Sequence, residues 1–316
     1  MNKLKFLITG LTLSFLFIIG CNTNDSNIPP NKARINIQLT DSPFPVQLIS
    51  STIVTIDKVE IRKIMESDTS QTESEFILLN DDEMDINLLE LTNGITQLIA
   101  TTDLDPGYYD MIRLHVVDAS VELNDGTVFD LKVPSGSTSG IKIKIKPAIQ
   151  LTEGQTSDVL LDFDVNRSFV VKGKIGKHIN GFNFKPVIRA VYMGAAGRIE
   201  GTVTDTTGVA LENAMVSVWM PDEYFNEEQD DENEEDKSAM DKDYDDYKSG
   251  FQTVSTFTDI DGNYKLIGLP EGMYSVMCEM EGFKNDTIND ISVTAGNSTT
   301  VNFELIPNAV EEVVSN

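Results

Sequence analysis

The chain has 316 residues, 40% of them hydrophobic, and its 51 Asp and Glu against 24 Lys and Arg give a formal net charge of −27. The apolar content is enough for packed cores, and the length allows one large domain or two ordinary ones. The negative charge argues against nucleic acid as a partner, and against an anionic membrane surface bound through protein charge.

The N-terminus begins with Lys3 and Lys5 and continues with an apolar run over residues 6–20. That run is too short to span a hydrocarbon core of about 30 Å, and it is typical of a secretory signal peptide that is removed from the mature protein. Its end, Ile-Ile-Gly-Cys21, resembles the lipobox of bacterial lipoproteins, in which the cysteine becomes the lipidated N-terminus. The alternative is an ordinary signal peptide with a chance cysteine.

The lipobox resemblance implies a signal peptide over 1–20 and acyl chains of the palmitate kind on Cys21, followed by a polar tether over 21–32. Two or more acyl chains anchor a protein stably where one does not. Asn22 is not the Asp that retains lipoproteins at the inner membrane in the enterobacterial scheme, which favours the outer membrane. Whether the body faces the periplasm or the outside stays open.

From residue 33 onward the hydrophobic pattern has a period of two almost everywhere, as in residues 141–146, where isoleucine and lysine alternate. Asp125-Gly126 predicts a tight hairpin turn, and residues 85–100 are the one stretch that suggests a helical turn or two. Many short strands between turn signals predict an antiparallel sandwich or barrel. We therefore predict an all-β protein with two antiparallel β-sandwich domains.

The first domain is predicted over 33–193 and the second over 198–308, with a small-residue hinge at 194–197 and a tail over 309–316. Residues 221–250 interrupt the second domain with fourteen acidic residues against three lysines, a net charge of −11. Such a run cannot bury enough apolar surface to order itself, so it predicts a long acidic disordered loop.

Four segments of the second predicted domain carry a family resemblance: Gly201–Asp205, Ala214–Val218, Thr258–Tyr264 and Leu269–Tyr274. They resemble the carboxypeptidase regulatory-like domain, a transthyretin-type sandwich in a fold group that also holds starch-binding-like modules; the acidic insertion departs from its usual short connection.

Seven segments of the first predicted domain carry another resemblance: Leu39–Pro43, Asp105–Tyr109, Ile112–Leu114, Leu131–Gly136, Ser139–Lys142, Leu161–Asp164 and Arg167–Ser168. They resemble the bacterial lipoprotein family called domain of unknown function 4382, which implies a β-rich domain but no activity.

One turn motif occurs in both predicted domains. Residues 104–109 and 269–274 each place Pro, Gly and Tyr before a strand. Tyr109 and Tyr274 are therefore predicted to pack at sandwich corners, with their hydroxyls bonded to the backbone.

Cys278 has no partner for a disulfide once Cys21 is lipidated, and it is predicted to be a buried free cysteine.

Catalytic signals are scarce. The two histidines, His115 and His178, lack the further ligands that a zinc site needs, and no nucleophile elbow, phosphate loop or dinucleotide fingerprint is present. Asp259–Asn263 resembles the start of a calcium loop, but the twelfth position is Pro270, so we interpret it as a hairpin turn. We predict no catalytic residue, no structural metal and no cofactor; weak calcium binding by the acidic loop stays open.

The chain is therefore predicted to be a membrane-anchored, non-catalytic binding module, with carbohydrate as the preferred ligand. Trp219, Tyr224 and Phe225 are candidates for stacking on sugar rings, although Trp219 could equally belong to the core. Lys142, Lys144 and Lys146 are candidates for contacting an anionic polymer or the acidic loop, against the alternative of a solvated strand face. The other function considered is a structural or adhesive envelope protein that presents its sandwiches to protein partners.

Overall fold

The computed structural model describes residues 28–42, 48–64, 76–133, 139–174, 178–221 and 251–308. Over these ranges the chain is almost entirely strand, with one short helix and two 3-10 turns, so the predicted all-β class is confirmed. The elements of the first part are β1 (Ala33–Ser42), β2 (Ile49–Lys63), β3 (Phe76–Asn80), β4 (Met84–Asn87), β5 (Gln97–Leu104), β6 (Gly107–Leu123), β7 (Val128–Asp130), β8 (Ile141–Leu151), β9 (Thr156–Asp164), α1 (Val165–Ser168), β10 (Phe169–Lys174), β11 (His178–Phe184) and β12 (Ile188–Tyr192).

The first part of the chain forms a ten-stranded sheet in the order β3-β2-β6-β8-β12-β9-β1-β5, with β4 paired to β2 and β7 to β6. Its two end strands approach each other, since the Thr102 hydroxyl donates to the Leu79 carbonyl at 2.8 Å and the Asn80 amide donates to the Ile99 carbonyl at 2.9 Å. The sheet therefore curls around one apolar core rather than forming two flat layers.

Strand direction in this sheet differs from the prediction. β1 runs parallel to β9 and β8 runs parallel to β12, whereas the sequence pattern predicted antiparallel pairing throughout. Alternating hydrophobicity reports which face of a strand is buried and says nothing of the direction of its neighbour. The predicted helical turn within 85–100 is a single 3-10 turn at Leu88–Glu90.

The second part of the chain is a sandwich of two four-stranded sheets, as predicted. One sheet has the order β16-β13-β19 with β20 also on β13, and the other has the order β15-β14-β17-β18; β19 and β20 run parallel to β13. The elements are β13 (Ala196–Asp205), β14 (Met215–Pro221), β15 (Phe251–Phe257), β16 (Asn263–Pro270), β17 (Gly272–Glu279), β18 (Asp286–Val293), β19 (Ser298–Thr300) and β20 (Phe303–Leu305).

Cys278 lies inside this second core with none of its surface exposed, as a free thiol. Burial, with smaller contributions from Asp286 and Glu279, raises its thiol pKa to about 12. A thiol that stays protonated at neutral pH is a poor nucleophile, so Cys278 serves as a small apolar side chain, as the sequence predicted.

The junction between the two parts is a 3-10 turn at Met193–Ala195, after which β13 begins. The predicted hinge at 194–197 is thus half turn and half strand. A small third apolar cluster joins the two parts, in which buried Leu160 and Val191 meet Ala196, with Ile267 of β16 packed against them. The residue boundaries of the domains stay a prediction.

Both predicted tyrosine corners are present. The Tyr109 hydroxyl donates to the Asp105 carbonyl at 2.8 Å, and the Tyr274 hydroxyl donates to the Pro270 carbonyl at 2.8 Å. Each bond spans four residues and closes the Pro-Gly turn that precedes its strand. The hairpin prediction at Gly126 holds as well, because Gly126 adopts a φ of +83° in a tight turn between β6 and β7, which pair antiparallel. The hairpin prediction at Asp259–Asn263 is wrong: Gly262 adopts a φ of +77° in a tight turn, but this turn joins β15 to β16, which belong to different sheets.

We expect Tyr109→Phe and Tyr274→Phe each to lower the free energy of unfolding by about 1 kcal/mol, because each removes one hydrogen bond and keeps the ring. Denaturant unfolding measures this. Tyr108→Phe is the matched control, since Tyr108 is 46% exposed. Unfolding midpoints equal to that of the control would contradict a stabilising role for the corner bonds.

Candidate functional site

Three buried carboxyl groups come together where the second part of the chain packs on the first. Asp162 and Asp164 lie near the end of β9, and Asp41 lies at the same end of the parallel neighbour β1, opposite Phe163. All three are at most 8% exposed. They belong to the segments Leu39–Pro43 and Leu161–Asp164, which carried the family resemblance, so the fold joins two motifs that are far apart in the chain.

Arg189 of β12 is a buried cation of this cluster, only 2% exposed. Its Nη2 donates to Asp162 Oδ2 at 2.6 Å, and its Nη1 donates to the carbonyl of Gly268 at 2.8 Å. The same Nη1 lies 3.6 Å from the Met220 sulfur. One guanidinium therefore bonds a carboxylate of the first sheet and the backbone of the second sandwich.

The electrostatics of the cluster follow from burial. Burial raises the pKa of Asp41 well above its usual value, and the charges of Asp162 and Asp164 add to the effect. Burial also raises the pKa of Asp164 to about 6, although the backbone N–H of Arg167 donates to its carboxylate at 2.9 Å and opposes the shift. The positive charges of Arg167 and Arg189 also oppose the shift of Asp164, so two guanidinium groups act on this cluster of three carboxyl groups.

A narrow crevice opens beside this cluster, between the two parts of the chain. Its lining includes Thr40, Asp41, Asn93, Asp162, Thr256 and Lys265. This site was not predicted from the sequence, because its residues come from five separate segments. The one available signal was the presence of two aspartates in the Val159–Asp164 part of β9, where the other residues are apolar and buried.

The three predicted lysines lie on β8, opposite its buried isoleucines. Lys142 and Lys146 are exposed and Lys144 is half-buried. Arg113 of β6 is in register with Lys142, and Met111 is in register with both Lys144 and Arg62 of β2. The five cations form one surface, which we call the basic face: Arg62, Arg113, Lys142, Lys144 and Lys146.

Two carboxylates and one ring hold the arginines of the basic face in place. Arg113 Nε donates to Glu60 at 2.6 Å, and its guanidinium lies 3.9 Å from the centre of the Phe76 ring. His115 Nε2 lies 2.9 Å from the same Glu60 oxygen. The bond from Arg113, with the smaller contribution of His115, lowers the pKa of Glu60, so this carboxylate stays ionised.

Arg62 is held in the same manner by Asp110, with bonds of 2.9 and 2.7 Å. Carboxylates thus hold both arginines of the basic face, and the lysines of β8 add further positive charge to it.

The predicted aromatic candidates are only partly described. Trp219 is half-buried on β14, where the core-facing residues are its neighbours Val218 and Met220, so it lies on the face away from the core. Tyr224 and Phe225 lie outside the described residues, as do Cys21 and the acidic segment from 222 to 250. The stacking platform stays a prediction.

Within the described ranges, no group of three or more His, Cys, Asp or Glu side chains is arranged to hold a metal ion. No helix in those same ranges is long and apolar enough to cross a membrane.

Two family models match the chain. Residues 32–186 match the model described as "Domain of unknown function (DUF4382)", and residues 244–306 match the model described as "Carboxypeptidase regulatory-like domain". The two-domain arrangement that the sequence predicted is therefore shown. No curated protein matches the chain.

Solved structures match only distantly. A 3-chlorocatechol 1,2-dioxygenase from Rhodococcus opacus 1CP is 11% identical over 36% of this chain and 61% of its own, with a TM-score of 0.24. The minor pilin GBS52 of Streptococcus agalactiae is 10% identical over 89% and 99%, also at 0.24. The shaft pilin SpaA of Lactobacillus rhamnosus GG is 8% identical over 88% and 99%, at 0.22. The chain thus spans less than two thirds of the dioxygenase.

Proposed function

We propose that this chain, in which a domain of unknown function 4382 precedes a carboxypeptidase regulatory-like domain, is a non-catalytic cell-envelope protein that presents two rigidly joined β domains to partner molecules. The observation that carries the proposal is the bond from buried Arg189 to the Gly268 carbonyl. Together with the apolar contact of Leu160, Val191 and Ile267, it holds the second domain on the first. A rigid tandem suits a structural or adhesive role, since little entropy is lost when a partner binds.

The shape of the protein in solution tests this proposal. Residues 33–316 should scatter X-rays as one particle whose two domains keep a fixed relation. A scattering profile that needs independently moving domains would contradict rigid presentation, and turnover of a substrate by the purified chain would contradict a non-catalytic role.

A second function, binding of an acidic polysaccharide, is favoured by the basic face. Its lysines form a local positive surface on a chain whose net charge is −27. Charge complementarity between such a surface and a polyanion raises the rate and selectivity of their association. The Phe76 ring beneath Arg113 adds an apolar support for the guanidinium. In this proposal the sheet face itself, rather than Trp219, is the binding surface.

We expect Lys142→Glu/Lys144→Glu/Lys146→Glu to weaken binding of polygalacturonate at least tenfold, because three attractive charges become repulsive. Titration calorimetry on residues 33–316 measures this. The control Lys132→Glu/Lys172→Glu/Lys284→Glu makes the same charge change at exposed lysines elsewhere and should bind as the wild type. Equal weakening in both variants, or no binding by the wild type, would contradict the polysaccharide function.

A further inference from the structure

One end of the first domain carries exposed apolar side chains. Ile64, the residue after β2, is 41% exposed and Tyr108 of β6 is 46% exposed. The two residues are neighbours, because the Ile64 N–H donates to the Tyr108 carbonyl at 2.8 Å. Pro106, in the turn before β6, is also exposed. Single exposed apolar residues are ordinary on a protein surface, but three at one end of a domain require an explanation. We call Ile64, Pro106 and Tyr108 the apolar end.

The chain enters the first domain at this same end. Lys32, the residue before β1, bonds Asp105 with 2.7 Å between Nζ and Oδ1, and Asp105 directly precedes Pro106 in the turn between β5 and β6. The Lys32 carbonyl also accepts a hydrogen bond of 2.8 Å from the Gly154 N–H. The residues that connect Cys21 to the fold therefore arrive beside the apolar end.

A lipid on Cys21 would hold this end close to a bilayer. Ile28, the first described residue, is seven positions after Cys21. An extended chain spans at most about 3.5 Å per residue, so Ile28 lies within about 25 Å of Cys21. From the apolar end β1 runs for ten residues, or about 30 Å, to the crevice where the second domain packs. The anchor thus holds the apolar end nearer to the bilayer than the second domain.

The side chains of this end suit the boundary between lipid headgroups and acyl chains. Tyrosine is enriched there, because its ring is apolar and its hydroxyl is polar. Lys32 and Lys63 lie at this end together with Asp105 and Glu153, so positive and negative charges balance. Such an end fits a zwitterionic lipid surface, and it does not need the anionic surface that the net charge of the chain disfavours.

We propose that the apolar end docks on the surface of a phospholipid bilayer, with Tyr108 and Ile64 among the headgroups and the second domain held away from them. Two such side chains bind weakly by themselves, but a covalent anchor keeps them at high effective concentration beside the lipid. The inference rests on the acylation predicted for Cys21. It goes beyond the proposed function, because it assigns the side of the rigid tandem that faces the membrane.

Tryptophan fluorescence on vesicles tests the docking. Trp219 is the only tryptophan of the chain, so Trp219→Phe/Tyr108→Trp places a single reporter at the apolar end. Residues 21–316 are coupled through Cys21 to a maleimide phospholipid in phosphatidylcholine vesicles; buried Cys278 does not react. Part of the phosphatidylcholine is brominated and quenches tryptophan only on contact. We expect the reporter to lose more than half of its emission and to shift to the blue.

Trp219→Phe/Met273→Trp is the matched control, because Met273 lies on β17 of the second domain and is 63% exposed. This reporter should keep almost all of its emission. Adding Ile64→Asp to the Tyr108→Trp reporter should reduce its quenching at least twofold, since a charged side chain is costly to bring among acyl chains. Equal quenching of the two reporters, or no quenching of the Tyr108→Trp reporter, would overturn the proposal.

Two features of the experiment keep its result separate from the anchor prediction. Flotation of the vesicles confirms that every variant is coupled before its fluorescence is measured. The lipid is attached chemically, so the contact of the apolar end is measured whether or not the cell acylates Cys21. Fatty-acid labelling of Cys21→Ser tests that acylation by itself.

Discussion

Arg189→Met is expected to lower the free energy of unfolding by about 3–5 kcal/mol, because it leaves the Asp162 carboxylate buried without its guanidinium. The bond between them is 2.6 Å and both side chains are at most 7% exposed. The substitution also removes the bond to the Gly268 carbonyl, so the loss should loosen the contact between the domains. Denaturant unfolding measures the free energy, and X-ray scattering measures the loosening.

Two further variants identify the cause. Arg198→Met breaks an exposed ion pair with Glu200 at 3.3 Å and should cost at most about 1 kcal/mol. Arg189→Met/Asp162→Leu removes both buried charges and should recover much of the lost stability, because the penalty comes from the uncompensated carboxylate. A double variant as unstable as Arg189→Met alone would show that packing, and not charge, sets the effect.

Cys21→Ser is expected to move the protein from the membrane fraction to an unprocessed or soluble form. The apolar run over 6–20 and the cysteine at its end predict a covalent lipid anchor, and at about 0.8 kcal/mol per buried methylene two acyl chains hold a protein on a membrane. Metabolic labelling with a radioactive fatty acid, followed by fractionation, measures this.

The control for this experiment is Cys278→Ser, which changes the other cysteine of the chain. It should keep both the label and the membrane association, because Cys278 is buried in the second core and its thiol pKa is raised to about 12. Unchanged labelling of Cys21→Ser would exclude the lipobox, and an ordinary signal peptide would then explain the N-terminus.

Local features of the fold could be predicted from the sequence because they depend on neighbouring residues. The alternation of Ile141, Ile143 and Ile145 with lysines placed the isoleucines inside, since the side chains of a strand alternate between two faces. The Pro-Gly-Tyr segments predicted the corner bonds of Tyr109 and Tyr274, because each bond closes a turn of five residues. The tight turns at Gly126 and Gly262 followed from the same local chemistry, but that chemistry did not show that the Gly262 turn joins two different sheets.

Strand order and direction could not be predicted in this way. The pairing of β1 with β9 joins segments more than a hundred residues apart, and no local pattern encodes it. The parallel direction of that pair is what brings Asp41 level with Asp162 and Asp164. The meeting of these carboxyl groups could therefore not be predicted, although both of their segments carry the family resemblance.

The sequence by itself determined the all-β class, the two-domain arrangement, the turns and the buried state of Cys278, because each depends on side-chain period or on short-range backbone chemistry. Only the tertiary structure decided that Arg189, a residue type that normally lies at the surface, is buried between the domains. It also decided that Lys142 shares a face with Arg113, and that Asn93 and Thr256 meet at one crevice. These placements follow from packing between distant segments. The burial and the charge environment of each side chain there depend on residues that lie far away in the sequence.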